Sequence, residues 1–190
     1  AALRAWSPFL PGDTETSMLP GAVFQITLRN PGSEEQKGTL LFSFPGFDLA
    51  DRDGAKEAVS RQALKGKLEG VVVSSGQTGD AWEMEYALAL TGNTGARWGG
   101  ALNSDGAAWA AAASMRPAVE TGDAGTSLAV DFNLVSGSFQ TIQLVFTWYA
   151  PHWRSGGAPA HEDTDLHTHM AAKYYSGAET TAEKLAQNAE

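Results

Sequence analysis

The sequence predicts an all-β domain, an antiparallel β-sandwich with a C-terminal helix leading out of it. Three observations carry that expectation. Seven or so short segments before residue 150 alternate apolar and polar side chains, as a half-buried strand requires. Clusters rich in Gly, Pro and Asn separate them. A long irregular polar stretch then precedes one good helix-forming run. The expected division is residues 1–150 as sandwich, 151–175 as exit loop and 176–190 as helix.

In chain order, Ser7-Pro8-Phe9-Leu10-Pro11-Gly12 is a rigid, turn-rich approach. Pro20-Gly21 leads into a strand where Phe24, Ile26 and Leu28 alternate with Gln25, Thr27 and Arg29. Asn30-Pro31-Gly32 is strong turn chemistry. Gly38 opens a second strand, with Leu40, Phe42 and Phe44 on one face, and Pro45-Gly46 closes it. These two strands are expected to pair antiparallel. From Asp48 to Lys67 charge replaces alternation, which predicts an exposed loop with room for a short helix over Ala55–Leu64. Sheet resumes over Leu68–Ser74.

The cleanest alternation follows. Trp82, Met84, Tyr86, Leu88 and Leu90 oppose Ala81, Glu83, Glu85, Ala87 and Ala89. Gly92–Gly106 reads as loop, and the alanine run Ala107–Met115 around Trp109 favours helix. Gly125–Trp153 then supplies two arms. Leu128, Val130, Phe132 and Leu134 form the apolar face of the first, and Ile142, Leu144, Phe146 and Trp148 that of the second. Val145 and Tyr149 add apolar groups to the opposite face of the second arm. Ser136-Gly137-Ser138 between the arms predicts a hairpin, which Pro151 ends. Ser176 and Glu179 have capping-box spacing, so the helix is expected to start at a serine N-cap. Its Ala178, Ala182, Leu185 and Ala189 make a face too small to pack strongly alone. The stretch Trp148–Glu190 is therefore expected to dock on a following domain.

The 190 residues suit one sandwich domain. A chain of this size buries roughly 70% of its unfolded surface, so no covalent staple is needed. There are no cysteines, which excludes disulfides and thiolate metal sites and leaves the compartment open. A net charge of −9 argues against nucleic acid or anionic membrane as partner. No apolar run is long enough for a membrane span, and no signal peptide opens the chain. AALRAWSPF begins abruptly, as if cut from a longer polypeptide, so the expectation is a soluble domain.

Three constellations are candidates for chemistry. His161, Glu162, Asp163, Asp165, His167 and His169 form a run rich in imidazole and carboxylate, the ligand types of zinc and other divalent ions. Within it, His161, Asp163, His167 and His169 are the candidate metal ligands. A cupin-like site needs a glutamate a few residues after its H-x-H pair, whereas Glu179 lies in the expected helix. The run reads more simply as a solvated loop or interdomain contact, and no cofactor is expected. Glu83 and Glu85 share one strand face. Retaining glycosidases need two carboxyls about 5 Å apart that flank the bond from opposite sides, so these two read as the solvent side of a sheet. The run TGNTGARWGG lacks the Gly-Lys-Ser/Thr ending of a phosphate loop, and no G-x-S-x-G elbow occurs. Among the tryptophans, Trp98 and Trp153, expected in loops, are the candidates for stacking on a sugar. Trp82 and Trp148 alternate within strands and read as core.

SPFLPGDTETSMLPGAVFQITLRN followed by GTLLFSFPGF resembles the N-terminal domain of glycoside hydrolase family 116, the family of non-lysosomal glucosylceramidases (bile-acid β-glucosidases) and microbial relatives. WEMEYALAL, the Trp109 segment, LVFTWYAPHW and the helix after Tyr174-Tyr175 follow in the same order. Order and spacing carry the match over most of Ser7–Asn188. The charged Asp48–Lys67 segment and the His/Asp-rich exit loop depart from the pattern. The resemblance implies a supersandwich-like β domain joined to a larger (α/α) barrel that hydrolyses β-glucosides with retention. It places both catalytic carboxylates in that barrel, so no catalytic residue carries over to this chain. The function implied is a non-catalytic domain supporting the barrel, with the barrel as partner and the β-glucoside as the parent enzyme's substrate. An independent carbohydrate-binding module and a metal-binding jelly roll are the alternatives.

Overall fold

The computed structural model describes residues 1–46, 59–75, 83–92, 95–102, 104–114, 116–120, 122–151 and 174–188. The strands are β1 (Ala2–Trp6), β2 (Gly21–Arg29), β3 (Gln36–Phe44), β4 (Ser60–Leu64), β5 (Leu68–Ser75), β6 (Met84–Thr91), β7 (Arg97–Gly99), β8 (Thr126–Leu134) and β9 (Phe139–Tyr149). The helices are α1 (Thr14–Ser17), α2 (Gly106–Ala111) and α3 (Ala178–Gln187). All pairings are antiparallel, in a six-stranded sheet ordered β1-β2-β9-β6-β5-β4 and a three-stranded sheet ordered β3-β8-β7. The all-β class and the two-sheet architecture follow the sequence reading, but several pairings do not.

The expected hairpin between residues 125 and 153 does not form. β8 lies beside β3 in the small sheet, whereas β9 lies between β2 and β6 in the large one. The reason is the size of the two apolar faces. Side by side in a hairpin, they would need a third layer to cover them. Folded onto opposite sheets, Leu128 and Val130 of β8 close directly on Ile142 and Leu144 of β9. The expected pairing of β2 with β3 fails for the same reason. Phe24 and Phe42 face each other across the core, with ring centroids 5.5 Å apart.

The β2–β3 and β8–β9 crossings between sheets meet at Asn30. Its buried amide donates to the carbonyls of Glu34 at 2.7 Å and Leu134 at 2.9 Å, and its side-chain oxygen accepts from Gly32 N. Its backbone N donates to Ser138 O and its carbonyl accepts from Gly137 N. The turn chemistry expected at residues 30–32 is present, and it ties two arches together.

Charge misled the reading of residues 60–64. They are edge strand β4, paired with β5, and not the end of a helix. Of the rest of that expected loop and helix, residues 48–58 lie outside the described residues. β7 is a short strand inside the glycine-rich run expected as loop. Paired with β8, it gains order from its neighbour and not from its own pattern. α2 is shorter than the alanine run, with Asp105 as N-cap accepting from Ala107 N and Ala108 N.

A second core lies on the other side of the large sheet. Val145, Tyr149, Ala87, Ala89, Val23 and Val72 face α3 there and pack with Tyr175, Ala178, Ala182 and Leu185. The helix thus spends its small apolar face on its own sheet, against the expectation that this face waits for another domain. Gly21 permits the approach, since a Cβ there would come 2.7 Å from Phe146 O and 2.9 Å from Leu185 Cδ2. No helix among the described residues is long and apolar enough to cross a membrane.

Candidate functional site

Glu85 lies on β6, a central strand of the large sheet with α3 packed on one face, and Glu83 immediately precedes that strand. Glu85 therefore does not sit on an open solvent face. Register places Glu85 opposite Tyr149 on β9. The Glu85 carboxylate accepts from Ala178 N at 3.0 Å through Oε2, and Ser74 Oγ donates to Oε1 at 3.3 Å. The observed N-cap is Gly177, which has no side chain to offer, so the Ser176–Glu179 capping box is absent. Glu85 supplies from another strand the negative charge that a helix N-terminus favours. Thr181 Oγ1 donates back to Gly177 O at 2.7 Å. Burial, then Glu83 and Glu85, push the Tyr149 phenol above its ordinary pKa. Tyr175, which donates to Glu15 O at 2.8 Å, is raised by burial and by Glu15 and Asp13. This cluster fastens α3 to the sheet.

Two further polar groups escaped the sequence reading. Arg61 on β4 donates to the carbonyls of Asp123 and Gly125, and Tyr86 OH donates to Ala124 O between them. Burial drives the Tyr86 phenol well above its usual range, outweighing the nearby Arg61 charge. On the small sheet, Arg97 grips Asp131 with both terminal nitrogens, and Thr39 Oγ1 donates to Asp131 Oδ1 at 2.7 Å. The Arg97 bonds, then Thr39, hold the Asp131 carboxyl far below the usual carboxylate range. The guanidinium nitrogens of Arg116 are buried without a hydrogen-bond partner. Burial and the Arg97 charge lower its pKa, against the opposing pull of Asp131. Arg61 lay in a stretch read as charged loop, and Arg97 in a glycine-rich run, so sequence offered no pairing signal for either.

Of the sugar-stacking candidates, Trp98 lies on β7 and not in a loop. It is half-buried and packs against the inter-sheet core beside Leu128 and against Val71, Val73 and Tyr86. Trp148 is 41% exposed, so only part of its ring joins Phe146 in the core. Trp153, His161, Asp163, His167 and His169 lie outside the described residues. Among the described residues, no three His, Cys, Asp or Glu side chains gather as metal ligands. The sites that can be built are structural: a helix anchor, a loop clamp and a cross-strand ion pair.

No curated protein matches the chain. A family model described as beta-glucosidase 2, glycosyl-hydrolase family 116 N-term, matches residues 1–190. That match takes in both sheets, the crossings at Asn30 and the helix on the outer face. The chain belongs to the family of N-terminal domains of glycosyl-hydrolase family 116.

Proposed function

We propose that this chain is a non-catalytic domain of a retaining β-glucosidase of the glucosylceramidase type, and that it supports a helical catalytic barrel in the same polypeptide. The observation that carries the reading is the use made of Glu85. The best-placed carboxylate near a second one is held by a helix terminus and a serine, and does not flank an open cleft. The family match over the whole chain supports the barrel as partner. Trp148 and Tyr174, each partly exposed, fit a contact with it.

The test has two parts. The pure 190-residue chain is incubated with an aryl β-glucoside, and no turnover is expected. Turnover lost on Glu83→Gln or Glu85→Gln would overturn the non-catalytic assignment. The barrel is then produced with and without this chain, and its thermal inactivation half-life is compared. Equal half-lives would overturn the supporting role.

A further inference from the structure

β7 and β8 are neighbours in the small sheet, with Gly99 opposite Ser127, yet residues 100–125 separate them in sequence. This excursion, which carries α2, leaves and rejoins the sheet at one place, so it can lift without unpairing either strand. Trp98 and Leu128 enter the inter-sheet core, so Gly99 and Ser127 face the other way. Across that outer face one row reads Ser43, Ser127 and Gly99. The excursion meets the row at both ends. Leu102 N donates to Ser43 Oγ at 3.0 Å, and a Cβ on Gly99 would come 2.7 Å from Arg116 Cβ. Ser127, between them, is fully buried.

Under that cover two polar groups stand unsatisfied. Among the described residues, Ser127 Oγ and all three guanidinium nitrogens of Arg116 are buried without a hydrogen-bond partner. A guanidinium cannot shed its charge, and a buried charge without a partner is strongly destabilising. Arg97 adds repulsion, and the carboxylate of Asp131 already accepts from Arg97 and Thr39. Once the excursion lifts, water hydrates the guanidinium, so the penalty falls on the closed arrangement alone. Little apolar surface opposes it. Among the described residues of 100–122, the buried apolar side chains are Leu102 and Ala112. The return end is held more firmly, where Arg61 and Tyr86 bind the carbonyls of Asp123, Ala124 and Gly125.

We propose that this excursion is a strap that lifts off the small sheet while the sandwich stays folded, and that the unpaired Arg116 charge sets how often it lifts. Gly100 and the clamped residues 123–125 are its two hinges. Lifting uncovers Ser127 and leaves the inter-sheet core closed. The inference does not depend on what the parent polypeptide hydrolyses.

The chain has no cysteine, so one introduced thiol reports on one place. Ser127→Cys sets it beneath the strap, and Val130→Cys sets it on the other face of the same strand, in the core. Each 190-residue variant is labelled with a maleimide under native conditions, and its rate is divided by that of its urea-unfolded form. The Ser127→Cys thiol should react roughly 100-fold faster or more than the Val130→Cys thiol, with little dependence on urea, as local opening does. Arg116→Met, added to Ser127→Cys, should slow the reaction roughly tenfold or more, because the closed strap then holds no unpaired charge. Arg116→Lys keeps the charge and should not slow it. The proposal falls if both thiols react alike with the same steep urea dependence, if Arg116→Met leaves the rate unchanged, or if Arg116→Lys slows it as much as Arg116→Met. The first criterion stands even if Arg116→Met fails to fold.

Discussion

Glu85 holds the N-terminus of a helix that begins 93 residues further along the chain. An acceptor at that position is worth about 1 kcal/mol, with a range of roughly 0.5–2. Glu85→Ala should therefore lower the urea-unfolding free energy by about that amount, and Glu85→Gln by less, because its amide oxygen still accepts. Equal stability of all three proteins would remove Glu85 from the anchoring of α3. Asp131 offers a pH test. Its folded pKa is depressed, chiefly by Arg97, so its contribution is complete above the unfolded carboxylate pKa of about 4. That contribution fades as pH falls through the lower folded value. The stability gap between the unmodified protein and Asp131→Asn should thus narrow below about pH 4. Added salt should narrow it too, since both partners are well exposed. A gap unchanged by pH would mean that neither the Arg97 pair nor the Thr39 hydrogen bond favours the charged carboxylate. Neither role was legible in the sequence, because a glutamate or aspartate on the polar face of a strand looks the same whether solvated or paired.

At the scale of elements, alternation told which side of each strand is buried and left its neighbours open. The arms of β8 and β9 were placed within a few residues, yet their pairing was misread, since a short Ser-Gly-Ser link serves a crossing between sheets as well as a hairpin. One irregularity did carry the missing information. Val145 and Tyr149 spoil the alternation of β9, and they are the residues that meet α3. An apolar residue on both faces of a strand is the sign of a second covering layer. β1 and β7 gave no such sign, being too short for a period to show. The helix docking leads to a definite expectation. Leu185→Ala, at a fully buried position, should cost about 2–5 kcal/mol. Hydrogen exchange should find the α3 amides protected in the isolated chain. Free exchange of α3 would contradict the second core.

On the scale of the whole molecule, the class, the sandwich and the family were readable from ordered strand patterns. The position of β9 has a further consequence, for the order in which the chain can assemble. Among the described residues, β2 and β6 meet only through β9, the last of the described strands. Until residues 139–149 are available, the large sheet exists as two separable pieces, β1-β2 and β4-β5-β6, each with an unpaired inner edge. Such edges invite pairing with other chains. A chain truncated after Ser138 should remain largely unfolded or aggregate, and should recover ordered structure when a peptide spanning 139–151 is supplied. Refolding of the intact chain should be slow, on the order of milliseconds to seconds, as non-local pairings generally require. On a ribosome the nascent sheet would stay open until residues 139–149 have emerged, so this domain needs shielding at its centre for longer than at its rim.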